Sequence, residues 1–70
     1  MQAQPMTAAQ VIEIAKEHAH LAPMRSSAES CIRDAETWLR EGVELTAYAW
    51  AVRSLKYSLG IGHPLYQQLA

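Results

Sequence analysis

Hydrophobic residues recur at the three- and four-residue spacing of an α-helix in three segments, and no segment alternates as a β-strand does. This pattern predicts helices over about 7–21, 27–41 and 44–59. Pro23 and Gly42 separate these helices, because proline cannot continue a helix and glycine readily adopts the left-handed conformation that ends one. We therefore predict an all-α protein of three helices, the last two forming a close antiparallel hairpin.

Two sequence patterns predict where helices begin. Thr7 is followed three residues later by Gln10, which is typical of a capping box, where each side chain accepts a hydrogen bond from the backbone amide of the other residue. Ser26 and Glu29 repeat this spacing before the second helix. We expect Thr7 and Ser26 to be the N-cap residues of the first two helices.

The first two helices each have one apolar face. That face is formed in the first helix by Ala8, Val11, Ile12, Ala15, His18 and Ala19, and in the second by Ala28, Cys31, Ile32, Ala35, Trp38 and Leu39. Acidic and basic residues four apart predict surface ion pairs on the second helix, namely Glu29–Arg33 and Glu36–Arg40. We expect Trp38 to lie in the core, where its replacement by alanine would cost about 3–5 kcal/mol.

The third helix has apolar or small residues on three faces. These are Tyr48, Val52, Leu55 and Leu59 on one face, Ala47, Ala51, Ser54 and Ser58 on the next, and Trp50 with Tyr57 on the third. A helix that is apolar nearly all round is normally buried nearly all round. We therefore expect the third helix to lie at the centre of the protein.

The flanking segments are assigned from their composition. We place the helical domain at 7–60, a flexible N-terminal arm at 1–6 and a C-terminal tail without an assigned helix at 61–70. The first five residues lack the basic and apolar pattern of a signal peptide, and no apolar run approaches the roughly 20 residues needed to span a bilayer. We expect a cytoplasmic location.

Composition narrows the classes of protein to be considered. The chain has 70 residues, of which 50% are hydrophobic, and its 6 Lys and Arg against 7 Asp and Glu give a net charge of −1. This balance argues against a general nucleic-acid binder, whose affinity comes from many phosphate contacts. The single cysteine excludes a disulfide within the chain. Because chains below about 70–80 residues usually gain stability from disulfides, metals or oligomerisation, we expect association with a second chain.

Residues 28–59 resemble a single helical hairpin of the tetratricopeptide family. The matching small, aromatic and turn positions are Ala35, Trp38, Gly42, Ala47 and Ser54. The chain departs from the family at Asp34, Ala51 and Leu59, where leucine, a large aromatic residue and proline are usual. Such repeats need about three copies to bury a continuous core, and this chain has one. The resemblance thus implies the packing of one hairpin and not a peptide-binding repeat array.

Candidate chemical groups are few. His18 and His20, two residues apart on a helix, point about 160° from each other and do not converge on a metal ion. Cys31 lies on the apolar face, which indicates a buried structural residue and not a nucleophile. His63 on the glycine-rich turn is the best polar candidate for function, yet no second catalytic group accompanies it at a fixed spacing. We therefore expect no enzyme activity, no metal and no cofactor.

Trp50 and Tyr57 support the sharpest functional hypothesis, because aromatic residues dominate the energetics of protein interfaces. Arg53, between them, can stack on an aromatic ring or pair with an acid. The residues expected at a partner or dimer interface are Trp50, Arg53, Tyr57, His63 and Tyr66. A simpler alternative stays open, in which Trp50 and Tyr57 only cover the first helix.

These patterns predict a small non-catalytic protein–protein interaction module, homodimeric, that sequesters, inhibits or bridges another protein. Accessory proteins of phages and mobile elements are often of this kind. A DNA-binding or transcription-accessory protein is the competing hypothesis, but Arg53 and Lys56 are the only basic residues of the third helix. A small enzyme or metal protein that uses His18, His20 or His63 is a third hypothesis.

Overall fold

The computed structural model describes residues 6–70. Its helices, in chain order, are α1 (Ala8–His18), α2 (Arg25–Arg40), α3 (Glu44–Leu59) and α4 (Pro64–Leu69), and a short 3-10 turn (Ala19–Leu21) follows α1. Residues 6–70 contain no strand, so the prediction of an all-α protein is confirmed. The first five residues of the predicted arm lie outside the described residues.

The start of α1 confirms the predicted capping box. Thr7 Oγ1 accepts a hydrogen bond from the Gln10 amide at 3.2 Å, and Gln10 Oε1 accepts one from the Thr7 amide at 2.8 Å. The α-helix ends at His18, earlier than predicted. Pro23 disfavours the helical conformation at Ala22, which is extended, and the last turn tightens into the 3-10 form.

The predicted N-cap of the second helix is wrong. Helix α2 begins at Arg25, so Ser26 lies inside it and caps nothing. The N-cap residue is Met24, whose backbone carbonyl accepts a hydrogen bond from the Ser27 amide at 3.0 Å. Arg25 Nε donates to Glu29 Oε2 at 3.0 Å. Glu29 thus stabilises the first turn through an ion pair and is not part of a capping box.

Gly42 ends α2 as predicted. Its φ is +81°, in the left-handed region that favours glycine. The Gly42 amide donates to the Leu39 carbonyl at 3.0 Å, and the Val43 amide donates to the Trp38 carbonyl at 2.9 Å. This pair of hydrogen bonds is the Schellman motif, which satisfies carbonyls left free at a helix C-terminus. The chain then reverses, and α2 packs against α3 in the most extensive helix–helix contact of the described chain, as the hairpin prediction requires.

The core is built mainly from alanine. Of the fifteen buried apolar residues in the described chain, eight are alanines, and these come from the predicted faces of α1, α2 and α3 and from the turn between α1 and α2. Small side chains let the helix backbones approach closely. The contact between α2 and α3 also includes a buried hydrogen bond, which Ser54 Oγ donates to the Ala28 carbonyl at 2.9 Å. The predicted small face of α3 is therefore confirmed at Ala47, Ala51 and Ser54.

The placement of Trp38 in the core is wrong. Trp38 is 40% exposed, and its neighbour Leu39 packs against the core in its place. Near the C-terminal end of α2, Leu39 lies beside Ile12 of α1. The side of α2 that faces α1 there is therefore the side of Leu39, and Trp38 is left outside the core. Helix α3 is also less enclosed than predicted, since Leu45 is 85% exposed.

The two ion pairs predicted within α2 are absent from the described chain. Glu36 instead reaches α1, where its Oε2 lies 2.8 Å from Lys16 Nζ. Lys16 also pairs with Glu13 at 3.4 Å. The hydrogen bond and the charge of Glu36 raise the pKa of Lys16. Among the described residues, α2 thus has one ion pair within the helix, Arg25–Glu29, and one to α1, Glu36–Lys16.

The predicted tail contains a fourth helix, α4. His63 is its N-cap, with Nδ1 accepting a hydrogen bond from the Leu65 amide at 3.1 Å, and Pro64 occupies the first turn, where its missing amide costs nothing. Leu69 is buried, and Tyr48 Oη donates to its carbonyl at 2.8 Å. This short helix is therefore docked on α3 by its last residues.

Candidate interaction surface

One side of α3 carries three of the residues predicted to contact a partner. Trp50, Arg53 and Tyr57 follow one another at spacings of three and four residues, which places them on one side of the helix. Trp50 is half-buried and packs against the core. The Arg53 guanidinium lies 5.4 Å from the centroid of the Trp50 ring, within the range of a cation–π interaction. Arg53 thus stacks on an aromatic ring of its own chain, and its contact with a partner stays a prediction.

An open groove lies between this side of α3 and the turn that precedes α2. It has a volume of about 330 Å³. Its lining residues, which together we call the basic groove, are Pro23, Met24, Arg53, Lys56 and Tyr57. Met24 is 62% exposed and Tyr57 is 38% exposed, so the groove presents large apolar surfaces to its surroundings.

The charges of the basic groove are all positive. Arg53 and Lys56 form no ion pair with any side chain of residues 6–70, whereas Lys16 and Arg25 each bind a glutamate elsewhere on the surface. Two cations beside an apolar groove create a local positive potential despite the net charge of −1. The groove is therefore suited to an anionic ligand that also carries apolar groups.

A second apolar surface lies at the start of α3. We call it the Leu45 surface, and it is formed by Met6, Thr7, Glu44, Leu45 and Tyr48. Glu44 is engaged internally, because its Oε2 accepts a hydrogen bond from the Ala8 amide at 2.7 Å, at the positive end of α1. The sequence analysis missed this surface. Leu45 lies only about 20° from Val52 around the helix axis, so its spacing predicts an apolar contact and does not show that the first turn of α3 is left uncovered.

His63 and Tyr66, the remaining predicted contact residues, lie on a different side of α3. The ring of His63 caps α4, and Tyr66 packs against the core. Helix α4 is held beside Tyr48, which is about 200° from Trp50 around the axis of α3. The five predicted contact residues therefore do not form one continuous surface.

The other candidate groups have structural surroundings. His18 is half-buried, with Nδ1 2.8 Å from the Ile14 carbonyl, and His20 is exposed. Cys31 is buried, as predicted, and its burial raises the pKa of the thiol while the positive charge of Arg53 opposes that shift. Within residues 6–70, no three His, Cys, Asp or Glu side chains come together as ligands for a metal ion.

Comparison with protein-family models, curated proteins and solved structures finds no match to this chain. The tetratricopeptide resemblance therefore stays a prediction, although the hairpin exists and its positions Ala35 and Ala47 are fully buried. In the part of the chain that the structure describes, no helix has both the length and the apolar character needed to cross a membrane.

Proposed function

We propose that this protein is a small, non-catalytic protein–protein interaction module that forms a homodimer and binds and modulates another protein. The distribution of large apolar side chains is the observation that supports this proposal. The core is mostly alanine, whereas Met24, Leu45 and Ile61 are all more than half exposed. Met24 lies beside Tyr57 in the basic groove, and Leu45 lies beside Tyr48 in the Leu45 surface. Apolar residues that are grouped in this way at a surface are typical of protein contact sites.

The alanine-rich core also gives a reason for association. Burial of apolar area stabilises a fold by roughly 25 cal/mol per Å², and an alanine side chain contributes little area. Among residues 6–70, only Leu55 and Val11 are large apolar residues that are completely buried. A chain of 70 residues with such a core gains stability when a second chain covers its exposed apolar groups.

The Leu45 surface is the best candidate for the dimer contact. A two-fold dimer uses the same patch on both chains, so a patch of one charge would repel its copy. The only carboxylate of the Leu45 surface, Glu44, is already bound to the N-terminus of α1. Leu45 and Tyr48 can thus meet their copies without placing like charges opposite each other.

Sedimentation equilibrium of the wild type beside Leu45→Ser tests the dimer. We expect the wild type to have twice the 7.8 kDa mass of the chain and Leu45→Ser to have the mass of one chain. Ile61→Ser is the matched control, because Ile61 is equally apolar and 65% exposed but lies in the turn before α4. This control should stay dimeric.

A wild type that sediments as a monomer at about 100 μM, far above the Kd of a stable dimer, and still melts cooperatively would refute the dimer. If Leu45→Ser and Ile61→Ser both remain dimeric, the contact lies on another face. The Trp50→Ala, Tyr57→Ala double variant then tests the opposite side of α3. Since Trp50 packs against the core, Tyr57→Ser alone is the cleaner change on that side.

A further inference from the structure

We infer that the basic groove binds a short acidic segment of a partner protein, in which an apolar residue is flanked by Asp or Glu. This inference rests on the proposed function, since it names the class of partner that the module binds. It is argued from an apolar floor and two cations without a carboxylate partner among residues 6–70, in a groove of about 330 Å³.

The volume of the groove suits individual side chains of a ligand better than a broad protein surface. Its volume of about 330 Å³ is at the lower end of the range of ligand pockets, which is roughly 300–1,000 Å³. It therefore accepts one or two large side chains. Pro23 stiffens one wall, and Met24 has the flexible, polarisable side chain that adapts to different apolar ligands.

The cations favour an acidic segment. Arg53 and Lys56 are three residues apart on α3, so both lie at the same edge of the groove. Contact with the Trp50 ring restrains the Arg53 side chain. No carboxylate of residues 6–70 pairs with its guanidinium group, so its hydrogen-bond donors are available to a ligand. A basic or purely apolar ligand would remove these cations from water without pairing them, and this desolvation costs binding free energy. A carboxylate instead forms charge-assisted hydrogen bonds with both cations.

Nucleic acid and a second copy of the chain fit the groove less well. DNA-binding proteins commonly make about 6–10 phosphate contacts, and the groove supplies two cations on a chain with a net charge of −1. A second copy is already proposed for the Leu45 surface, whose one carboxylate, Glu44, is bound to the N-terminus of α1. The groove is therefore available to a different protein when the dimer forms.

Selection from a display library of random peptides of about twelve residues tests the inference directly. We expect the wild-type protein to enrich peptides in which Leu, Trp or Phe is flanked by Asp or Glu. The same selection with the Arg53→Glu, Lys56→Glu double variant should lose those peptides. Arg33→Glu is the control for a charge reversal outside the groove, because Arg33 is exposed on α2 beside α1 and does not line the groove.

Binding of the most enriched peptide, labelled with fluorescein, is then measured by anisotropy. We expect its Kd to rise at least about tenfold with the double variant and to change little with Arg33→Glu. A version of the peptide with Lys in place of each acid should bind the double variant better than the wild type. If the double variant has lost its helical circular dichroism, the neutral pair Arg53→Gln and Lys56→Gln replaces it in the comparison.

Three results would overturn the inference. These are enrichment of peptides without acidic residues, equal binding of the peptide by the double variant, and binding of labelled single-stranded DNA that depends on Arg53 and Lys56. The inference and the proposed function fail separately. A protein that sediments as a dimer through Leu45 but selects no acidic peptide would refute the inference and leave the interaction module in place.

Discussion

Leu55 and Trp38 show how differently two large residues contribute to this fold. Leu55 is completely buried at the centre of the core, while Trp38 is 40% exposed near the end of α2. We expect Leu55→Ala to lower the free energy of unfolding by about 2–5 kcal/mol and Trp38→Ala to lower it by clearly less. Urea unfolding of both variants beside the wild type measures the difference. Equal losses would mean that Trp38 is covered, as it would be in a partner interface.

Cys31 provides a second measurement at the residue scale. Alkylation requires the thiolate, and burial raises the pKa of this thiol above its ordinary value of 9.0. At pH 8 the folded protein therefore holds a smaller thiolate fraction than the unfolded chain. We expect iodoacetamide to modify native Cys31 much more slowly than the same residue in about 6 M guanidinium chloride. Equal rates at pH 8 would contradict the burial of this side chain.

The sequence predicts the identity of core residues well in α1, whose apolar face is covered by both α2 and α3. Val11, Ile12 and Ala15 are buried as their spacing requires. It fails for Trp38 and Leu45, because a helical wheel gives the direction of a side chain and not the element that covers it. That information depends on how far each neighbouring helix extends.

The turn between α2 and α3 is the element with the clearest sequence signature. Gly42 has a positive φ, and a Cβ atom placed on it would meet nothing within 4 Å. Replacement by alanine therefore costs only the backbone strain of the left-handed conformation, about 1–2 kcal/mol. Gly62 is the matched control, since it has open space around it and no positive φ.

We expect Gly42→Ala to reduce the free energy of unfolding by that amount and Gly62→Ala to change it by less than about 0.5 kcal/mol, both measured by urea unfolding. A neutral Gly42→Ala variant would show that the hairpin tolerates another turn.

Helix α4 lacks a sequence signature comparable to that of the Gly42 turn. Its six residues are too few to be stable alone, and it depends on the contact of Leu69 with Tyr48, which local sequence does not encode.

At the scale of the whole molecule, the protein is a thin body with Cα extents of 34 × 30 × 15 Å. A thin body has a large surface for its volume, and the alanine core adds little stabilising area. If the homodimer forms, its Tm must rise with protein concentration, because dissociation and unfolding are coupled. Circular dichroism melts at about 5 and 500 μM measure this rise. A Tm that is the same at both concentrations would contradict the dimer.

The candidate site is less predictable than the fold. The pattern of apolar residues was sufficient to predict an all-α protein with a hairpin, and it placed Arg53 beside an aromatic ring. The basic groove also needs Pro23 and Met24, which were assigned only as a break between helices. Their position against Tyr57 follows from the packing of α2 on α3, which no spacing within either helix specifies.

The first two turns of α3 contact both ends of the helical chain. Glu44 accepts a hydrogen bond from the amide of Ala8, and Tyr48, about 6 Å further along the axis, donates one to the carbonyl of Leu69. A short linker can therefore join the two ends, while new ends are opened at the exposed turn around Ile61. Such a circular permutant should give the same helical circular dichroism spectrum as the wild type. The order of the helices along the chain would then differ, but their packing would not.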